Sequence, residues 1–458
     1  YLKVDMTIVK TSLKKGGFYI PEFNIESSNV FNNPENYEIE IELLPNDDEL
    51  SVIVGNIKKY IKYVLCGLQE TNYPISNEEA LQTIYNYTSL IKGKKALDNK
   101  KFKEEHYRDA KHLKNSYNFI GPNQVTLQFN NIIKPYKGQT DNINTDYTVT
   151  EKADGLRKLL YVDNRGKAYF ITTSMNVQFT GMIVSEKSLF NTILDGEHIL
   201  YNKKCEFINL YAVFDMYISN NIDIRQNPLF NEELTSSRYN RLTEYVNAIS
   251  LNFKNIVGNI KNSLKVRAKT FYGNKTQSIF AACNQLLKTI DQNLFEYETD
   301  GLIFTPALLG VGQENPGDII ENKKKTWRKC FKWKPPEFNT NDFLVTTVKD
   351  SSGKDKINDY TQEGVNTNDI NPIEQYKTLT LRCGYNEKYI NPLQNLIDDN
   401  LVIKGRYSEY KPVPFYPTEP ADNEAYICKI ILKRDKNGTL QMITEEGEVF
   451  TDKTIVEF

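Results

Sequence analysis

Residues 150–162 read TEKADGLRKLLYV, which places Lys152, Asp154 and Gly155 within four positions just ahead of a short apolar run. An Asp-Gly pair is a common turn signal and Leu159–Val162 suits a strand, so a polar turn leading into a strand would account for the composition. The same residues also present Lys152 as a nucleophile at a strand edge. Four further segments bear on the choice. ILDGEHI sets Asp195 and Glu197 two apart, hence on one face if the segment is a strand. YAVFDMYI carries Phe214 and Asp215, YETDGLIF carries Glu298 and Asp300, and CFKWKPPE sets Lys332 and Lys334 on one face. Each alone has an ordinary structural explanation: a turn, a buried aromatic beside a capping carboxylate, or a solvated edge strand.

The elements that must position these residues are legible in outline. The 458 residues leave room for roughly two to four domains and a substantial core. A quarter of the chain is charged and the net charge is −2, so any polyanion site is a local patch. The six cysteines are scattered without a CxxC pair, which argues against a disulfide framework or zinc ribbon and for reduced thiols. Three histidines, His106, His112 and His198, argue against a His-based zinc enzyme or a serine-histidine hydrolase. No apolar run approaches the ~20 residues of a membrane span, and no signal peptide is visible. The chain starts at Tyr1 without a methionine and stops on the strand-like TIVEF, so we expect a piece of a longer polypeptide.

LKVDMTIVK and YEIEIELL read as strands around a loop with Gly16-Gly17 and Pro21. Leu50, Ile53, Ile57, Ile61, Val64 and Leu68 recur at helical spacing. Ser76 to Glu79 forms a capping box ahead of Leu81, Ile84 and Tyr87. The lysine-rich residues 92–115 read as a solvated connector, with RNA contact as the lesser alternative. From 116 to 335 strands are expected to alternate with helices, the clearest helix carrying Ile279, Cys283, Leu286, Ile290 and Leu294. After Pro335-Pro336, five strand-like pieces (FLVTTVKD, YKTLTLRCGY, AYICKIILKRD, TLQMITEEG, TIVEF) and a turn at Asn437-Gly438 suit a small β-barrel such as an OB-fold.

Taken in order, KADGLR, LDGEHI, YAVFDMYI, ETDGLIF and FKWKP resemble motifs I, III, IIIa, IV and V of the covalent nucleotidyltransferases, the mRNA capping guanylyltransferases and ATP-dependent ligases. The resemblance spans about 120–335. It implies that the Lys152 amine attacks the α-phosphorus of a nucleoside triphosphate, expels pyrophosphate and becomes a lysyl-nucleotide. It also implies that Arg157 contacts the nucleotide near its ribose and that Glu197 approaches the sugar. Ile303 and an aromatic, Phe214 or Phe170, would pinch the base. Lys332 and Lys334 would disfavour the Lys152 ammonium and neutralise charge on the α-phosphate. Mg²⁺ or Mn²⁺, with Glu197 and Asp300 as the acidic participants, would act as Lewis acid.

The flanks favour a guanylyltransferase. EIEIE puts Glu38, Glu40 and Glu42 on one face of a strand and Ile39, Ile41 and Leu43 on the other, which an ordinary amphipathic strand would also do. With KVDMTIVK before it and FIGPNQVTL after the helices, the layout resembles the fused capping enzymes of large cytoplasmic DNA viruses, where a tunnel-type RNA triphosphatase holds metal on such glutamates. About 45 residues cannot close an eight-stranded tunnel, since strands take ~5–6 residues each, so only a remnant is expected. A basic motif VI and a methyltransferase domain, which follow in that family, are expected beyond TIVEF.

The resemblance therefore implies an α+β chain: a partial tunnel (1–45), a helical connector (46–115), a nucleotidyltransferase domain of antiparallel sheets with flanking helices (116–335) and an OB-fold barrel (336–458). It implies a cytoplasmic enzyme, in a viral factory or virion if viral, that takes GTP and the 5′-diphosphate or triphosphate end of RNA. A stimulatory subunit could stand outside this chain. The alternatives are a polynucleotide ligase working through lysyl-AMP and an inactive RNA-binding module. The basic run from Lys323 to Lys334, with Trp327 and Trp333, reads either as a phosphate or RNA contact or as a charged edge strand.

Overall fold

A computed structural model describes the chain apart from residues 1, 13, 16–17, 46–47, 94–102, 134–140, 231–236, 256–262, 274–276, 324, 336–339, 362–372, 386–410, 418–420, 435–437 and 445–447. Gly16-Gly17, Pro336 and Asn437 thus lie outside the described residues. The chain divides into two units, Tyr1–Lys334 and Pro335–Phe458.

In the first unit, β1 (Leu2–Lys10) and β2 (Glu35–Leu43) pair antiparallel, with Lys3, Asp5 and Thr7 opposite Glu42, Glu40 and Glu38. The period of two puts the three glutamates on one face, but the strand opposite them brings no second glutamate row. Both faces of this two-stranded ribbon are largely in solvent: Met6 and Tyr37 on the apolar face are 83% and 74% exposed, and the three glutamates on the other face are exposed as well. Two helices follow, α1 (Leu50–Gln69) and α2 (Asn77–Ile91). Ser76 caps α2 by accepting the Glu79 backbone N–H at 3.1 Å. The reciprocal half of the capping box is absent, because the Glu79 carboxylate instead accepts from Lys167 and Tyr169, each at 2.7 Å, and ties α2 to the sheet. A third helix, α3 (Glu104–Leu113), occupies the stretch read as a connector. Its Tyr107 and Ala110, one turn apart among charged neighbours, pack on Leu81 and Tyr85 of α2.

Two sheets make the body. The strands that build them are β3 (Asn123–Thr126), β4 (Tyr147–Ala153), β5 (Leu156–Val162), β6 (Lys167–Thr172), β7 (Val177–Val184), β8 (Thr192–Tyr201) and β9 (Phe207–Ser219). From 147 to 219 no α-helix intervenes, contrary to the expected alternation. Short connections join successive antiparallel strands, and antiparallel pairs need no helical crossover. The helices come afterwards: α4 (Arg238–Leu251) and α5 (Ile279–Asp291). Two more strands complete the unit, β10 (Thr299–Pro306) and β11 (Thr326–Trp333). One sheet has the central order β9-β8-β5-β6-β7, and the other runs β4-β10-β11-β3.

Period-two alternation along β5 explains the packing. Leu159 and Tyr161 meet Ile84 and Tyr87 of α2 on one face, while Leu160 and Val162 meet Leu242, Val246 and Ile249 of α4 on the other. Likewise α5 lays Ile279, Ala282 and Leu286 on Val149, Leu302 and Phe304 of the second sheet. This helix stops at Asp291, and Asn293 takes a left-handed φ of 57°. Leu294, expected within it, therefore lies past its end and is exposed.

In the second unit, Ile373–Tyr385 is the central strand, paired antiparallel with Ile357–Thr361, Asp342–Thr347, Lys411–Pro414 and Ile427–Ile431. Ile455–Glu457 pairs with Asp342–Thr347. Phe343, Val345, Leu379, Leu381, Met442, Phe450 and Val456 form its core. All five strand-like pieces read from the sequence contain strands, while Ile357–Thr361 and Lys411–Pro414 were not foreseen. Gly438 has φ of 80°, as a turn glycine would. The mixed α and β architecture, dominated by antiparallel pairing, agrees with the sequence reading at that level. No described helix is long and apolar enough to cross a membrane, and all six cysteines are free.

Candidate active site

Lys152 sits near the end of β4, and its side chain lines a cavity between the two sheets. Ile303 and Thr305 of β10 wall one side; Arg157 of β5, Glu197 of β8 and Phe214 of β9 wall the other. Lys152 Nζ donates to both oxygens of Asp300, at 2.6 and 2.7 Å. Lys334 Nζ lies 3.0 Å from Asp300 Oδ2. Burial works to raise the Asp300 carboxyl, but hydrogen bonds from the two lysines prevail and hold it below the ordinary carboxylate range.

The Asp-Gly pairs differ in kind. Asp154-Gly155 does break the chain between β4 and β5, with the Asp154 N–H donated across to Glu298 O at 2.9 Å. Asp195-Gly196 instead lies inside β8, where a Cβ on Gly196 would stand 2.8 Å from the Tyr211 ring. That ring needs the space, because its hydroxyl donates to Lys158 O at 2.8 Å and ties β9 to β5 behind the site. Asp300-Gly301 lies inside β10 at a bulge: Thr299 faces Ala153 while Leu302 faces Glu151. Gly301 has φ of 147°, and a Cβ there would stand 1.9 Å from Trp333 O.

Arg157 and the acidic pair of β8 form a second cluster. The guanidinium donates from Nε to Asp195 Oδ1 at 3.1 Å, from Nη2 to Oδ2 at 2.6 Å, and from Nη1 to Pro122 O at 2.8 Å. Tyr217 also donates to Asp195 Oδ2, at 2.5 Å, so the fully buried carboxylate is held from two sides. Arg157 lies 5.5 Å from the Phe214 ring centre and 5.7 Å from that of Phe119. Glu197 shares a face with Asp195, as its spacing predicts, and burial pushes its carboxyl up to about 7 against the pull of Arg157. Behind Phe214, Asp215 pairs with the fully buried Arg238 of α4 through bonds of 2.8 and 3.1 Å.

The structure separates the two aromatic candidates. Phe214 lines the cavity with Lys152, whereas Phe170 is 3% exposed in the core under α4, against His198 and Tyr211. Lys332 lies opposite Ile303 in register but makes no ion pair among the described residues; Lys334 reaches Asp300 from just past the end of β11. Glu298 is exposed and joins the site only through its carbonyl. The basic run does not expose its tryptophans as a stacking surface. Trp327 is buried and donates its indole N–H to Gln313 O at 2.8 Å, Trp333 packs against the core, and Lys329 pairs with Asp141.

Sequence reading missed Lys269, which lines the cavity from a stretch without a motif. It is buried, donates to Glu151 O and lies 3.3 Å from the Glu151 carboxylate, which Tyr297 also bonds at 2.8 Å. Among the described residues no group of three or more His, Cys, Asp or Glu side chains is placed to hold a metal ion. This applies equally to Glu38, Glu40 and Glu42, which remain on the solvated ribbon. Glu197 and Asp300 offer two carboxylates around Lys152, which fits an ion such as Mg²⁺ that takes one or two protein ligands and completes its shell with water and substrate phosphate.

A profile of the mRNA capping enzyme catalytic domain matches residues 87–336, more than half of the chain, and the chain belongs to that family. It is 26% identical over 393 residues to a probable mRNA-capping enzyme of Acanthamoeba polyphaga mimivirus, covering 78% of this chain and 29% of that one. It is 26% identical over 209 residues to the mRNA-capping enzyme of Danio rerio, covering 44% and 31%. The chain thus spans under a third of the length of these relatives. A solved ATP-dependent DNA ligase from bacteriophage T7, in complex with ATP, aligns at 11% identity over 70% of this chain and 96% of that one, with a TM-score of 0.29, too low to bear on the fold.

Proposed function

We propose that this chain is an mRNA guanylyltransferase that forms lysyl-GMP on Lys152 and passes GMP to a 5′-diphosphate RNA end. The observation that carries the reading is the Lys152–Asp300 contact at the mouth of a cavity shared with Arg157, Phe214 and Ile303. To attack, the Lys152 ammonium gives up a proton, and Asp300 is the acceptor within reach. The amine then forms a bond to the α-phosphorus of GTP as the bond to the β-phosphate oxygen breaks and pyrophosphate leaves. The nitrogen sheds its extra proton to complete lysyl-GMP. In the second step an oxygen of the RNA β-phosphate attacks the same phosphorus, the P–N bond breaks and Lys152 leaves with a proton, giving GpppN. Lys334, and Lys332 beside it, meet growing charge on the phosphate oxygens. Arg157, held in place by Asp195 and Tyr217, and Glu197 meet the ribose, and Phe214 and Ile303 hold the base. Mg²⁺ or Mn²⁺ bound at Asp300 and Glu197 would supply Lewis-acid polarisation of the α-phosphate.

The wider assignment follows the same reading. Residues 336–458 form an OB-fold domain, supported by the six-stranded antiparallel sheet of that unit. Residues 1–45 are part of a triphosphatase tunnel whose remaining strands lie elsewhere, supported by the one-sided glutamate row of β2. The likeness to the mimivirus protein supports a viral setting, while a methyltransferase domain, a stimulatory subunit and a cytoplasmic location join the proposal only through the motif resemblance to fused viral capping enzymes. The test is covalent labelling with α-labelled GTP or ATP and Mg²⁺, beside Lys152→Ala, in this chain and in a C-terminally extended one. Acid-labile label from GTP alone, lost in the variant, is the expected result. Label from ATP would make the protein a ligase, and none from either in both chains would leave an RNA-binding module.

A further inference from the structure

A second cleft, of about 730 Å³, opens between the end of α1, the start of α2 and the adjoining ends of β5, β6 and β7. That lies within the roughly 300–1,000 Å³ typical of ligand clefts and far exceeds what a lone phosphate needs. Arg157 lines both this cleft and the Lys152 cavity, so the two adjoin at one residue. Lys158, 5% exposed, lies in its wall. Among the described residues its ammonium has no carboxylate within ion-pair distance. Nζ donates to Gln178 Oε1 at 2.7 Å and meets His198 Nδ1 at 3.1 Å. With Nδ1 accepting, His198 is neutral and its Nε2–H is assigned to donate to Asn209 Oδ1 at 2.9 Å. A buried ammonium whose direct partners are all neutral is costly until an anion reaches it, the Glu70 carboxylate acting on it only from beyond Gln178. Lys114 stands exposed on the rim, also without an ion pair among the described residues. The carboxylate in the lining, Glu70, is engaged by Gln178 Nε2 at 3.3 Å.

We propose that this cleft binds the sugar-phosphate backbone of the first nucleotides of the acceptor RNA, placing a phosphate against Lys158 while the 5′ end reaches past Arg157 to Lys152. The inference rests on the guanylyltransferase reading of the neighbouring cavity. Ser76, Thr173 and Ser174 add hydroxyls suited to ribose and phosphate oxygens. No aromatic ring lines the cleft among the described residues, so bases are not stacked and recognition is independent of sequence.

The test uses the whole chain and a 5′-diphosphate oligoribonucleotide carrying 4-thiouridine at its second or third position. Photo-cross-links are expected within residues 65–77 or 172–178. Lys158→Met and Lys114→Glu should each form lysyl-GMP from GTP as the parent does, while KM for the RNA rises about tenfold for Lys158→Met and less for Lys114→Glu. The log–log salt dependence of RNA binding should flatten by about 0.7 per lost phosphate contact. Cross-links confined to other segments, or an unchanged KM in both variants, overturn the proposal. If Lys158→Met does not fold, Lys114→Glu and the cross-link decide. Cross-links in the cleft with no lysyl-GMP in either this chain or the C-terminally extended one would keep the cleft and sink the transferase reading; a chain that forms lysyl-GMP but cross-links elsewhere would do the reverse.

Discussion

Lys152 and Asp300, 148 positions apart in the chain, meet through two hydrogen bonds of 2.6 and 2.7 Å. Neither residue is special in composition. The antiparallel pairing of β4 with β10 brings them together, and on the proposed mechanism the contact makes Asp300 the nearest acceptor for the proton that Lys152 gives up. Asp300→Asn should therefore lower the rate of lysyl-GMP formation by about a hundredfold or more, measured by single-turnover labelling. The melting temperature should move little, because the pair is partly solvated and such pairs contribute modestly to stability. An unchanged labelling rate would show that the proton leaves by another route.

Gly301 faces a harder constraint. A Cβ at 1.9 Å from Trp333 O cannot be accommodated without moving β11, and φ of 147° is foreign to L-residues. Gly301→Ala should cost more than ~1 kcal/mol of stability, read by urea unfolding. It should also reduce labelling at temperatures where the variant is still folded, since Lys334 follows Trp333 directly.

The Arg238–Asp215 pair stands behind Phe214, fully buried at the arginine end. Arg238→Met should destabilise the chain by about 3–5 kcal/mol by stranding a buried carboxylate. Adding Asp215→Leu should recover much of that loss. Equal unfolding midpoints for the single and double variants would contradict the assignment.

Glu197 predicts a pH signature in stability. Its carboxyl, pushed up to about 7 from 4.5, binds a proton more tightly in the folded chain than in the unfolded one. Folding is thus favoured by the proton below the lower value, loses stability as pH rises between the two, and carries the full penalty above 7. Glu197→Gln should melt at a higher temperature than the parent at pH 8, with the difference vanishing toward pH 4. A difference that does not change with pH would refute the raised value. Labelling should fall at every pH if Glu197 meets the sugar.

Much of the candidate site could be read from residue order because most of its groups lie on strands, and strands have a simple period. The spacing of Asp195 and Glu197 gave their shared face directly. What escaped was everything set by partners distant in sequence. Nothing local marks Lys269 as a cavity residue or Tyr217 as a second donor to Asp195. Phe170 and Phe214 look equivalent in one dimension, and only the pleat of their strands sends one to the α4 core and the other to the cavity. The α3 helix is hidden because its five charged residues, Glu104, Glu105, Arg108, Asp109 and Lys111, outnumber the two, Tyr107 and Ala110, that dock it. The expected alternation of helix and strand failed for a different reason: turns short enough for antiparallel neighbours leave no helical signature to miss.

The bulge at Gly301 also resolves a problem of parity. Asp300 and Ile303 are an odd number of residues apart, and along an unbroken strand they would point to opposite sides of the sheet. One serves Lys152 and the other walls the same cavity, so both must face one way. The extra residue between Thr299 and Leu302 supplies the half-step that brings them into phase. The stretch DGLIF therefore works as a counted interval, in which the number of residues matters as much as their kinds. Straightening the bulge while keeping every residue would turn either the carboxylate or the isoleucine away from the cavity, whereas a regular strand could keep both on one face only with one intervening position fewer.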